Sequence, residues 1–371
     1  MTKLAIGLMS GTSMDGIDAA LIRTDGQNIV EEIASISIPY TDETRNILKE
    51  SEARIRIHHS SEEESTHIST SLHIQAVLTL LEKTGYSARD IDVIGYHGQT
   101  MYHNPEQKIS IILGDGKRMV KELDITVVND FRTRDISLGG RGAPFAPLYH
   151  LALAKRDKKI PAAIVNCGGI ANITIINDEY PENIIAYDIG PGNGLIDRLV
   201  RKHTKGKEHM DVNGKYGING KVHTDILELL YEKSIFKNGQ NFFNCHGPRA
   251  LDINDMQLIP ELDVLSIEDA CRTLEAFTAD SIVRSLANGI IPRNWILAGG
   301  GWNNPVILHE LKTRLHGFNV VTATEMGWNN AGLEAQIFAY LAVRSLMGLP
   351  LSLPNTTGVS KPTSGGLVHR L

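Results

Sequence analysis

Holding a phosphate needs backbone amides that can gather around an anion, and the stretch Leu8 to Leu21, LMSGTSMDGIDAAL, has the residues for it. Gly11 and Gly16 are spaced as in a nucleotide-binding P-loop, yet Ile17 and Asp18 stand where that motif carries Lys and Ser or Thr. An amide nest binds anions without lysine, and Ser10, Thr12 and Ser13 add hydroxyl donors. Asp15 or Asp18 could hold a magnesium ion, whose preference for hard oxygen suits a carboxylate shared with phosphate. The competing reading is a tight turn with Asp15-Gly16 at its corner.

A second loop, CGGIAN, follows Asn166 and sits between two apolar runs in PAAIVNCGGIANITIIND, repeating the pattern of the first. Two such loops, one per domain, can present amides and polar side chains to a polyphosphate between them. Asp188 ends the run IIAY and precedes Gly-Pro-Gly-Asn, which puts its carboxylate at the carboxyl edge of a sheet, where open α/β folds place ligands. A carboxylate there can act as general base toward a hydroxyl or a water; the alternative is an N-cap or turn aspartate. GPGNG is a poor dinucleotide fingerprint, because Pro191 intrudes and the third glycine is misplaced. GGGWNN, Gly299 to Asn304, either lets an adenine or ribose lie against bare backbone or packs a strand closely on a helix. HGQT, NDFRTRD and GGRGAP supply His97, Gln99, Arg132, Asp135 and Arg141, a polar set suited to a hydroxylated, acidic small substrate. Taken singly, each arginine also reads as a surface ion pair and His97 as a strand-end histidine.

These residues need strands and helices to hold them. From Lys3 the chain reads as strand, GTSMDG turn and second strand IDAALI, a hairpin and so not the strand-to-helix setting of a true P-loop. Helices are expected around Asp42 to Glu52 and from about Glu62 to Lys83, followed by the strand IDVIGYHGQT. The strand in LDITVVNDF then opens into a glycine-rich, basic loop. His59, Glu63 and His67 recur every fourth residue and could hold a metal, but Ser61 capping a helix with an acidic first turn, His59 lying outside it, is the favoured reading. Later, Ser266 caps a strong helix with Gly289 near its end, and a last helix runs from about Gly332 to Met347. The closing NTTGVSKPTSGG reads by composition as a flexible loop. The repeated hairpin suggests two related α/β domains facing each other.

At 371 residues two domains are the natural expectation. The chain is 42% hydrophobic and 22% charged with a net charge of −6, which argues against nucleic acid as a partner. MTKLAIGLMSG is too short for a membrane span and lacks a signal-peptide pattern, so no membrane association and a cytoplasmic home are expected. Cys167, Cys245 and Cys271 are too scattered for a disulfide framework or a zinc site.

Taken in order, MSGTSMDGIDAAL, YHGQT with His103 soon after, DFRTRDISLGGRGAP, NCGGIANIT, YDIGPGNGLID, AGGGWNN, LEAQIFAYLA and NTTGVSKPTSGG closely resemble the anhydro-N-acetylmuramic acid kinases. These belong to the acetate and sugar kinase, Hsc70 and actin superfamily, and the similarity runs over nearly the whole chain. It implies an α/β fold of two related actin-like (ribonuclease H-like) domains with a nucleotide cleft between them. The expected division is 1–155, with sugar-binding loops, and 156–371, with nucleotide-binding loops and a tail that packs back on the first domain.

The implied reaction uses ATP and Mg2+ on 1,6-anhydro-N-acetylmuramic acid from cell-wall turnover: water opens the anhydro ring as the 6-oxygen is phosphorylated. Carried over by motif, Asp188 is the base. Gly11, Thr12, Ser13, Met14, Asp15, Gly16, Ile17 and Asp18 hold nucleotide phosphate, joined by Asn166, Gly168, Gly169, Asn172, Gly190, Gly192, Asn193, Gly299, Gly300, Gly301 and Asn303. His97, Gln99, Arg132, Asp135 and Glu334 fall to the sugar, and Asp15 and Asp18 to the metal. A homodimer is left open. The chain departs from the family where members carry Pro-Pro-Lys-Ser-Thr-Gly-Arg-Glu; here FFNCHGPRALDI keeps only fragments such as Pro248 and Arg249, and WNNAG replaces an acidic loop before Glu334. A non-catalytic ATP-binding regulator on the same fold and a dinucleotide-dependent dehydrogenase are the competing functions.

Overall fold

The opening apolar runs form a hairpin, β1 (Lys3–Ser10) and β2 (Gly16–Thr24), which continues antiparallel into β3 (Val30–Pro39). IDAALI is strand, so no helix N-terminus stands behind the loop, as the sequence implies. Helices α1 (Asp42–His58) and α2 (Glu63–Thr84) follow. Next come β4 (Val93–Asn104), parallel to β1, its antiparallel partner β5 (Ile109–Leu113), α3 (Gly116–Leu123) and β6 (Val127–Asn129), parallel to β4. The expected basic loop contains two helices, α4 (Thr133–Ser137) and α5 (Pro147–Arg156). One expectation fails locally: Glu62, not Ser61, is the N-cap of α2, and its side chain makes no capping hydrogen bond. His59 instead closes α1 with a left-handed φ of 52° and stacks on Tyr102.

The structure, a computed structural model, describes residues 1–235, 242–244, 247–286 and 291–371; Gly289, the expected helix end, lies outside them. The second half repeats the first. Strands β7 (Ala162–Cys167), β8 (Ile170–Ile176) and β9 (Ile185–Pro191) form an antiparallel meander, followed by α6 (Gly194–His203), α7 (Thr224–Lys233) and α8 (Ile267–Arg284). Ser266 caps α8 by accepting from the Asp269 amide at 3.1 Å. Then β10 (Asn294–Ala298), α9 (Pro305–Arg314) and β11 (Asn319–Thr322) complete a five-stranded sheet. Both sheets share one plan: β3-β2-β1-β4-β6 and β9-β8-β7-β10-β11, each with three antiparallel strands and two more parallel to the first. This is the ribonuclease H-like order, so the repeated hairpin did mark two related α/β units.

The units are Met1–Lys158 with Glu179–Ile184 and Trp328–Leu371, and Lys159–Asp178 with Ile185–Gly327. The final helix α10 (Leu333–Leu346) therefore belongs to the first unit, where a division at 155/156 puts it in the second. The reason is close packing. Ile6, Leu8, Ile94 and Tyr96 point from β1 and β4 into a core shared with α1 to α3, while Gly7 and Gly95, paired across the two strands, lie under α10. A Cβ at either glycine would run into the α10 backbone at Ala335 or Phe338. The tail is not a loose loop: it forms α11 (Pro354–Thr357) and β12 (Leu367–His369), which pairs antiparallel with β6. No helix among the described residues is long and apolar enough to cross a membrane.

Candidate active site

In the first unit the loop between β1 and β2 is tied down by its carbonyls. Gln99 Nε2 donates to the Gly11 carbonyl at 2.8 Å, Arg45 Nε to Met14 at 3.2 Å, and the Tyr40 amide to Asp15 at 3.0 Å. Ser10 Oγ lies 2.8 Å from the Gly16 carbonyl, 2.5 Å from Gln99 Oε1 and 2.9 Å from Tyr40 OH, a buried network sharing few protons. The amides of the exposed Thr12 and Ser13 make no hydrogen bond among the described residues. With its carbonyls bound from behind, the loop leaves the Thr12 and Ser13 amides available toward solvent, the arrangement an anion nest uses. Met14, with φ of 55°, and Ile17 are buried, so of the expected phosphate contacts these two can offer backbone only.

Asp18 is half-buried on β2 and accepts from Ser37 Oγ; burial raises its carboxyl above the usual range, Ser37 opposes this and the exposed Asp15 adds to it. Among the described residues no three metal-ligating side chains gather. Magnesium takes only one or two carboxylates beside phosphate oxygens and water, so this coupled pair fits part of its shell.

Arg132 is the centre of the polar set beyond this loop. Its Nε and Nη2 donate to His97 Nε2 at 3.1 and 3.0 Å, and its Nη1 donates to the Gly142 carbonyl at 2.6 Å. His97 is thereby assigned the Nδ1–H tautomer, its Nδ1 lying 3.1 Å from the Gly98 carbonyl. Burial, with the Arg132 charge adding to it, holds His97 far below its ordinary pKa, so it is neutral and serves as an acceptor. Burial also brings Arg132 down to about 10, against Glu334 and Asp135, leaving it charged at neutral pH. A guanidinium has five N–H groups, so two make no hydrogen bond among the described residues. Asp135 is buried and both of its oxygens are engaged, accepting from the Gly142 amide at 2.7 Å and from Thr357 Oγ1 at 2.6 Å. Gln99 is fully buried and equally engaged. Glu334 stands at the start of α10, where lost hydration, aided by Asp18 and opposed by Arg132, raises its carboxyl above the ordinary value.

In the second unit three glycine loops converge. The amides of Gly192 and Gly194 donate to the Gly169 carbonyl at 3.0 Å each, and that of Asn193 to Gly168 at 2.8 Å. A Cβ at Gly299 would strike Asn166 and Cys167, and one at Gly301 would strike Asn193 and Cys167; only Gly300 has nothing within 4 Å. Close packing thus explains two of the three consecutive glycines, and Gly300 alone presents open backbone beside the exposed Asn303. Gly190 packs under Phe243. Thr278 on α8 braces the loop by donating to the Gly192 carbonyl at 2.8 Å.

Asp188 lies within β9, not at its end, because the strand runs on through Gly-Pro to Pro191; β9 is an edge strand, where proline costs no ladder bond. Asn166, Asn172 and Asp188 stand opposite one another across β7, β8 and β9, all half-buried, in a single polar row. The Leu251 amide donates to Asp188 Oδ2 at 2.8 Å. Sequence reasoning missed Leu251, Thr278, Thr357 and the Gly7–Gly95 pair. Each acts across long sequence separations, and only the glycines inside apolar strands gave a signal.

The model for the anhydro-N-acetylmuramic acid kinase family matches residues 3–370. Curated relatives of that name include one from Brucella canis, 40% identical over 99% of both chains, and one from Rhizorhabdus wittichii, 40% identical over 100% of both. Among solved structures, the activator of a 2-hydroxyisocaproyl-CoA dehydratase from Clostridium difficile aligns with 93% of this chain and 97% of its own at 13% identity and a TM-score of 0.44, too distant to bear on ligand or activity. With a family model and full-length relatives agreeing, the chain belongs to the anhydro-N-acetylmuramic acid kinase family.

Proposed function

We propose that the chain phosphorylates 1,6-anhydro-N-acetylmuramic acid with ATP, opening its anhydro bridge with water, to give N-acetylmuramic acid 6-phosphate. Family membership makes it a kinase of this class, and a non-catalytic nucleotide-binding role is not favoured. The observation that carries the mechanistic reading is the polar row ending at Asp188 beside three converging glycine loops.

In this reading Asp188 takes a proton from water as the water oxygen bonds to the anomeric carbon. The bond from that carbon to the bridging 6-oxygen breaks, its electron pair stays on the 6-oxygen, and this oxygen attacks the γ-phosphorus in line as ADP leaves. The glycine loops 168–169, 190–194 and 299–301 serve the nucleotide, and the amides of Thr12 and Ser13 serve phosphate. Asp15 and Asp18 would hold Mg2+, which when bound neutralises phosphate charge. Arg132, with two N–H groups to spare, and Glu334 face the sugar, whereas His97, Gln99 and Asp135 act from behind, fixing Arg132 and the loops. A cytoplasmic place in cell-wall recycling follows from the substrate.

The test is Asp188→Asn: binding of ATP is retained while phosphorylation of the anhydro sugar falls by about 100- to 10,000-fold to a residual rate. Full turnover by the variant removes Asp188 from the mechanism.

A further inference from the structure

Residues 249–251 run beside β9 and hold Asp188 through main chain and side chain. The Asp188 amide donates to the Arg249 carbonyl at 3.0 Å, Arg249 Nε donates back to the Asp188 carbonyl at 2.8 Å, and the Leu251 amide holds Asp188 Oδ2 at 2.8 Å. Arg249 is itself built in. Its Nη1 donates to the Phe242 carbonyl at 3.0 Å, and its guanidinium lies over the rings of Tyr187 and Phe242, 5.0 and 4.7 Å from their centroids. Planar stacking and a rigid donor fork are properties of arginine that lysine does not share. These contacts tie the guanidinium to main-chain carbonyls at Asp188 and Phe242. They fall in the segment where the sequence departs from its family, so the function of the surviving arginine is not legible from the motif.

We propose that Arg249 is a positioning residue for Asp188: by bracing 249–251 along β9 it sets the Leu251 amide against the carboxylate and so fixes the direction in which that carboxylate meets the attacking water. The inference rests on Asp188 being the base. A misplacement of about 1 Å at a reacting group can cost about 100-fold in rate, which sets the expected size.

The experiment compares the parent, Asp188→Asn, Arg249→Ala, Arg249→Lys and the Asp188→Asn/Arg249→Ala double variant, measuring kcat, KM for ATP and for the anhydro sugar, and thermal unfolding. Arg249→Ala is expected to lower kcat about 100-fold and Arg249→Lys about tenfold, with both KM values within about threefold of the parent. In the Asp188→Asn background the second substitution is expected to cost nothing further, because its effect passes through a carboxylate already removed. If Arg249→Ala does not fold, Arg249→Lys takes its place in the same cycle. Parental kcat in Arg249→Lys, or equal slowing in both backgrounds, overturns the proposal while leaving Asp188 as the base; full turnover by Asp188→Asn alone removes the base assignment and this inference with it.

Discussion

Glu275 gives the sharpest test of how the second unit is held together. It lies on α8 with none of its surface exposed, and its Oε2 has no hydrogen-bond partner among the described residues. Asn304 Nδ2 donates to Oε1 at 2.7 Å, and beside it stands Asp211, which holds the Tyr216 and Gly217 amides at 2.9 and 3.1 Å. Burial, opposed by the Asn304 bond and aided by Asp211, pushes the Glu275 carboxyl from 4.5 up to about 8. At neutral pH it therefore keeps its proton, which turns the orphaned Oε2 into a donor toward Asp211. The folded state binds this proton and the unfolded chain releases it, so the stabilisation is full below about 4.5 and is lost as pH rises through about 8. Linkage amounts to about 1.4 kcal/mol per pH unit inside that window, and so to about 2 kcal/mol between pH 6 and pH 8. Glu275→Gln replaces the proton with a permanent N–H and keeps an acceptor for Asn304. Urea unfolding of the parent and the variant at a series of pH values is expected to show the parent losing about 2 kcal/mol more than the variant between pH 6 and pH 8. Parallel stability curves refute the protonated pair.

Two further substitutions separate packing from ligand contact. Gly300→Ala meets no neighbour, so its melting temperature should match the parent's while KM for ATP rises; Gly301→Ala, pressed against Cys167 and Asn193, should destabilise by about 1–3 kcal/mol in the same melt. Arg132→Lys keeps the charge but loses the fork shared between His97 and Gly142. Charged hydrogen bonds worth about 1.5–3 kcal/mol then set an expected 10- to 100-fold fall in kcat/KM for the sugar, with KM for ATP unchanged, read by steady-state kinetics.

The elements that place the site were legible because strand alternation and glycine turns are local signals. The hairpin at Gly11 to Asp15, its counterpart at Gly168 and Gly169, and the cap at Ser266 all emerged from neighbours a few residues apart. Asp188 was legible as a strand residue but not as an internal one, because Gly-Pro reads as a turn and only the sheet order reveals an edge that tolerates proline. His97, Gln99 and Asp135 were legible as a polar set, but sequence does not say which polar groups face a ligand and which are consumed by loops behind it. β4 is buried along most of its length, so alternation gives no outer face to read. The tail misled for the opposite reason: Pro, Ser, Thr and Gly read as loop, while its pairing partner β6 lies more than two hundred residues upstream.

The proposed mechanism stands on water opening the anhydro bridge in the same event that phosphorylates the 6-oxygen. The direct measurement is to incubate the enzyme with ATP, Mg2+ and 1,6-anhydro-N-acetylmuramic acid in oxygen-18 water and locate the label in the 6-phosphate product. Early time points, and a control without enzyme, separate incorporation from slow exchange at the anomeric oxygen. Coupled opening puts label on the anomeric oxygen from the first turnovers; early product without label contradicts it.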